Sequence, residues 1–147
     1  MKQPELARKL FDLIENNKMD EAAQLLSDDF VFSGPVPDPL NRGKWLELQG
    51  LLGIGFPDWS FNFKYMHNHG SDCHCSVQIT GTHYWDLDLT ALGLQVIPKT
   101  GRSIKLPKED LMIEFHLDKI SAIKVVSAPG GGLYGILNQI GVGILSK

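Results

Sequence analysis

The sequence predicts one α+β domain in which N-terminal helices cover a curved antiparallel sheet. Three observations lead there. Apolar residues recur at helical offsets over the first third of the chain, and from about residue 60 the period changes to two and stays there. Gly81 and Gly93 fall inside strand patterns, where glycine marks a sharp bend, so the sheet is expected to wrap and leave a hollow beneath the helices. A chain of 147 residues suits a single core.

Leu6, Leu10, Leu13 and Ile14 share one stripe of a helix that begins near Pro4 and ends about Asn16 and Asn17. Asp20 is placed to cap a second, shorter helix with Leu25 and Leu26 facing inward. Phe30 to Phe32 reads as a short strand. The run GPVPDPL, with three prolines, predicts a rigid loop ending at Asn41, a cap for a helix whose stripe is Trp45, Leu48 and Leu52 and whose stop is Gly53 and Gly55. After the turn FPDW, Phe61, Phe63 and Tyr65 alternate with Asn62, Lys64 and Met66 up to the hairpin tip HNHGSD. The return strand starts near Cys73 and runs on to Trp85, with Val77, Ile79, Gly81, His83 and Trp85 on one face. Further strands are expected over 89–97, 103–115 and 119–126, joined by PKTGR and by a turn around Asp118.

Composition narrows the function classes. Fourteen Lys plus Arg against seventeen Asp plus Glu give a net charge of −3, without the positive field that a phosphate backbone requires, so nucleic acid is not an expected partner. The charged amino terminus lacks the apolar run and cleavage site of a secretory signal, which predicts a cytoplasmic protein. The uncharged stretch from 125 to 146 is broken by six glycines and a proline, so no membrane span is expected. Cys73 and Cys75 are too close in sequence for an unstrained mutual disulfide. With His67, His69 and His74 they form the order HxHxxxCHC, which matches no structural zinc spacing, and no metal is expected. No glycine pattern for a dinucleotide or nucleoside triphosphate and no GxSxG elbow occurs, so no cofactor is expected either.

Four short motifs in order carry a resemblance: FPDW at 56–59, Gly81-Thr82-His83, Lys99-Thr100-Gly101-Arg102, and EFHLDKISAI at 114–123. Together, over roughly residues 5–127, they resemble the SnoaL-like polyketide cyclase group of the nuclear transport factor 2-like superfamily. The resemblance implies a cone of curved sheet and helices around an apolar pocket, usually in a homodimer, in proteins that include cyclases, isomerases, dehydratases and pure binders. It divides the chain into a cone domain, 1–128, and a glycine-rich apolar tail, 129–147. In the tail, Leu133, Ile136, Leu137 and Ile140 have helical spacing after the hinge-like Gly130 to Gly132. That tail is expected to pack on the core, to close the cone as a lid, or to meet a second subunit.

Alternation places His83 on the face that points into the cone, where an imidazole either exchanges protons near neutral pH or is a buried histidine held by backbone. Asp58 is placed by the resemblance near the pocket mouth, as a base, while its turn position suits a capping carboxylate. The cyclases of the group carry their acid and base on the last strands, where Glu114 is the candidate here, although alternation turns it outward. The expected pocket wall is Trp85, Phe61, Phe63, Tyr65, Trp45 and Ile113. The function these residues support is binding of a small hydrophobic molecule with cofactor-free isomerase, dehydratase or cyclase chemistry. The alternative is a noncatalytic dimeric protein-interaction domain.

Overall fold

The structure, a computed structural model, describes residues 2–34, 38–126 and 128–142. Helix α1 (Gln3–Glu15) carries Pro4 in its first turn, where a missing N–H is harmless, and buries Leu6, Leu10, Phe11 and Ile14. Asn17, in the left-handed region at φ 60°, then turns the chain so that α2 (Met19–Ala23) opens earlier than expected. Asp20 therefore sits inside the first turn of α2 instead of capping it, and Leu26 starts strand β1 (Leu26–Ser33) instead of completing the helix. Residues 35–37 of the proline loop lie outside the described residues. After β2 (Leu40–Asn41) the Asn41 side chain accepts the Lys44 N–H at 2.9 Å and caps α3 (Arg42–Gly55), which runs through Gly53 to Gly55.

The strand half is more broken than alternation predicts. The hairpin of β3 (Lys64–His69) and β4 (Asp72–Val77) turns at Gly70, whose φ of +65° suits glycine. β4 stops at Val77, and a separate short strand, β5 (Thr80–Thr82), follows. The segment expected as a strand over 89–97 is a 3-10 turn, Thr90–Leu92, between β6 (Leu87–Asp88) and β7 (Val96–Ile97). Gly93, at φ +78°, closes that turn instead of bending a strand. The expected strand over 103–115 divides into β8 (Ser103–Lys105) and β9 (Glu109–His116), with Pro107, which has no N–H for a ladder, in the gap. β10 (Lys119–Val126) spans the expected residues, and α4 (Gly132–Gln139) forms from the tail.

The main sheet has the order β2-β1-β10-β9-β4-β3. It is mixed, not purely antiparallel: β1 runs parallel to β10, a pairing open to strands separated by most of the chain. Pairs β5–β8 and β6–β7 stand apart as two-stranded sheets. The core lies between the main sheet and the helices, and includes Phe30, Cys73, Cys75, Leu111, Ile113 and Ile123 from the sheet. Among the described residues no helix is long and apolar enough to cross a membrane.

Candidate functional site

Three of the short motifs meet at one place. The turn Phe56–Trp59 is clamped to β5 by Asp58, whose Oδ1 accepts the Thr82 N–H at 2.7 Å and whose Oδ2 accepts the Thr82 hydroxyl at 2.9 Å. Gly81 lacks a Cβ because one would stand 3.3 Å from the Phe56 side chain. His83 follows, fully buried, its ring stacked on Phe56 with centroids 5.2 Å apart. Its backbone N–H donates to the Arg102 carbonyl and its carbonyl accepts from Gly101, which ties in the KTGR turn. His83 Nδ1 accepts the Thr100 N–H at 3.2 Å and lies 2.9 Å from the Thr100 hydroxyl. An accepting Nδ1 puts the ring proton on Nε2, and burial lowers the pKa of the imidazole against a smaller opposing pull from Asp86. Asp58 and His83 therefore hold a knot of loops.

The hollow is elsewhere, under α3. Trp45, Leu48, Gln49 and Leu52, at helical offsets of three, four and seven, form one wall of a cavity of about 110 Å³. Trp59 and Phe61 come from the turn after α3, Leu111 and Ile123 from the sheet, and Gly132, Leu133 and Ile136 of α4 close the end. Half-buried Phe32, Val125 and Leu133 also border the space. Its walls are apolar, yet four lining residues bury a polar atom that has no hydrogen-bond partner among the described residues. These atoms are Trp45 Nε1, Trp59 Nε1, Gln49 Oε1 and Glu109 Oε2. Buried polar groups normally find partners, so four orphans around one hollow mark a place built to receive something. Glu109 is 4% exposed, and burial pushes its carboxyl above the ordinary range. The tail reaches this carboxyl: a Cβ on Gly131 would collide with Glu109 Oε2.

The arrangement of strands and helices has counterparts among solved bacterial structures, each named a putative polyketide cyclase. One from Pseudomonas putida KT2440 superposes with a TM-score of 0.70 at 16% identity, over 95% of this chain and 98% of that one. Another, called SnoaL-like, from Jannaschia sp. CCS1, gives 0.68 at 13%, over 92% and 89%. IdmH from Streptomyces antibioticus gives 0.67 at 20%, over 96% and 100%. The fold is SnoaL-like. At these identities the likeness establishes architecture alone. No family model and no curated protein matches the chain.

Within this SnoaL-like cone several expected site residues stand away from the cavity. His83 is not among its lining residues, because the strand that was to carry it inward ends at Thr82. Trp85, past the same break, is 58% exposed, with Lys99 Nζ 5.6 Å from its ring centroid. Asn62, left-handed at φ 46°, interrupts the alternation through Phe61, Phe63 and Tyr65. Phe61 lines the cavity, whereas Phe63 stacks on Phe11 at 5.0 Å and the Tyr65 hydroxyl donates to Asn68. Ile113 is fully buried in the core and is not among the lining residues, whereas Trp45 lines the hollow. Glu114 faces away, paired with Lys124 at 2.7 Å. Cys73 and Cys75 are buried free thiols, and Cys75 is raised to about 12, first by burial and then by Cys73. His67 Nε2 and His74 Nδ1 lie 3.1 Å apart across β3 and β4, but no group of three or more ligating side chains among the described residues could hold a metal ion.

Two residues that matter most were missed. Glu109 has the phase of Leu111 and Ile113, so the alternation already recognised in β9, extended one step back, points its carboxyl inward. Gln49 stands four residues after Trp45 and belongs to the same helical stripe.

Proposed function

We propose that the protein binds a small, largely apolar molecule in the cavity under α3 and moves a proton on it without a cofactor, as an isomerase, dehydratase or cyclase does. The single observation that carries this reading is the buried Glu109 carboxyl on an apolar hollow, with its Oε2 unpartnered among the described residues. An ionised Glu109 takes a proton from carbon next to a carbonyl and returns it to another position, while the indole N–H groups of Trp45 and Trp59 supply donors for the oxygen on which negative charge develops. The polyketide cyclase names borne by fold neighbours support the reading. The proton-carrying role thus belongs to Glu109, with Asp58, His83 and Glu114 in structural contacts. A noncatalytic interaction domain would have its interior packed to normal density, and the hollow favours a ligand over that alternative. The homodimer is part of the same proposal, supported by apolar Val31, Met66 and Val126 exposed on the strands.

The test is exchange of the methyl protons of acetophenone in D2O, followed by nuclear magnetic resonance. Wild type and His83→Gln are expected to exchange above the buffer rate, and Glu109→Gln about 100-fold more slowly than wild type. Equal rates in wild type and Glu109→Gln, or a wild-type rate no higher than buffer, would remove the acid-base part of the proposal.

A further inference from the structure

We propose that the cavity selects an uncharged molecule of a single ring bearing a carbonyl or phenolic oxygen, and refuses both carboxylates and fused-ring compounds. This deepens the ligand-binding reading above and rests on it. Three features of the hollow carry the inference.

The first is charge. Among the described residues that line the space, Glu109 is the one ionisable side chain, and no Lys, Arg or His borders it. An anionic group entering would find no cation to pair with and would lose its water against apolar walls. An ammonium group could pair with Glu109, but it would draw the carboxylate into its charged form on a wall that is otherwise apolar, and both ions would be desolvated. An uncharged guest avoids both difficulties.

The second is size. A dry cavity of about 150 Å³ lined by Leu, Ile and Phe takes up benzene. The enclosed part of this hollow is about 110 Å³ and opens to the surface on one side, so it seats one ring with a small substituent toward the opening, and the helix α4 that lines its end is anchored. Gln139 donates to the Lys105 carbonyl at 2.9 Å and accepts the Lys105 N–H at 2.7 Å, copying a strand pairing onto β8, while Ile136, Leu137 and Ile140 are buried. The space does not extend by simple displacement of a loose tail.

The third is the set of unpaired atoms. Two indole N–H groups want an acceptor, Gln49 Oε1 wants a donor, and the Glu109 carboxyl, when protonated, can give or accept. A carbonyl oxygen satisfies the indoles. A ring hydroxyl satisfies Gln49 as well. A pure hydrocarbon of the same size leaves all four atoms unpaired, so shape alone does not explain the site.

The test is binding at neutral pH, read by tryptophan fluorescence in a Trp85→Phe background, which removes the exposed indole and leaves Trp45 and Trp59. The probes are acetophenone, benzoate and 2-acetylnaphthalene. Acetophenone is expected to bind saturably, at least about 10-fold tighter than either of the others. Gln49→Leu, which keeps the wall apolar, is expected to weaken 4-hydroxyacetophenone about 10-fold more than it weakens acetophenone, through loss of the acceptor. Benzoate binding as tightly as acetophenone overturns the neutrality, and 2-acetylnaphthalene binding as tightly overturns the size limit. In either case the pocket itself stands. If no probe binds and native mass spectrometry of freshly purified protein finds no retained molecule, the ligand-binding reading falls with the inference.

Discussion

A carboxyl group buried among apolar side chains resists ionisation, and Glu109, whose Oε2 has no hydrogen-bond partner among the described residues, is such a group. Its raised pKa means that the folded chain holds this proton more tightly than the unfolded chain. The contribution to stability is therefore complete below the ordinary carboxyl pKa and is lost as pH rises through the raised value. Glu109→Gln has no such loss, so its melting temperature relative to wild type is expected to climb as pH rises above the ordinary carboxyl value. A flat difference across thermal melts would contradict the assigned burial. His83 acts with the opposite sign. Its lowered pKa makes stability complete above the ordinary imidazole value and lost as pH falls below about 6.5 toward the folded value. Asp58 is a smaller lever, because its two hydrogen bonds to Thr82 lie near the surface. Asp58→Ala is expected to lower stability by about 1 kcal/mol in urea titrations and to leave proton exchange on acetophenone within a few-fold of wild type. A large loss of exchange with stability intact would return Asp58 to the chemistry.

At the scale of elements, the anchoring of α4 is the most easily tested feature. Gln139 takes both backbone groups of Lys105, and nothing but this amide joins α4 to β8 through side-chain hydrogen bonds among the described residues. Gln139→Ala leaves a strand N–H and carbonyl without partners and is expected to destabilise the α4 docking by about 1–2 kcal/mol. Hydrogen exchange followed by mass spectrometry should then show faster exchange across 132–140 with β9 and β10 unchanged. Unchanged protection in α4 would mean that burial of Ile136, Leu137 and Ile140 holds it alone. The β4 strand offers a second check. Cys73 and Cys75 alternate with His74 and both point into the core, and the raised thiol pKa of each reduces thiolate further. A thiol reagent such as Ellman's is expected to find neither in the native protein and both after unfolding.

At the scale of the whole molecule, the parallel contact of β1 with β10 joins the start of the chain to its last strand, so the cone closes only when nearly all the chain is in place. The cavity borders α1, α3, the main sheet and α4, and every one of these must be docked for it to exist. Ligand binding should therefore stabilise the entire fold, not one part of it. Saturating acetophenone is expected to raise the single melting transition of wild type, with a smaller rise for the double variant Trp45→Phe and Trp59→Phe. Native mass spectrometry is expected to show two chains per particle, and a single-chain particle would remove the proposed homodimer.

Local periodicity alone determined the helices α1 and α3, the Asn41 cap, the β3–β4 hairpin and the span of β10, because each depends on neighbours within a few residues. It also determined that Glu114 faces outward. Which face of the later strands meets the hollow was decided only in three dimensions. The left-handed turn at Asn62, the pairing of Ser60 with Thr80, and the contact of Phe56 with Gly81 break the long strand that alternation draws from Cys73 to Trp85. The buried phase runs on through Gly81 and His83, but past the break it meets Phe56 and the Thr100 turn instead of the cavity, and Trp85 is exposed, so neither His83 nor Trp85 belongs to the wall. No window of sequence contains both partners of those contacts, and the orphaned carboxyl of Glu109 becomes visible only when α3, β9 and the tail surround the same space.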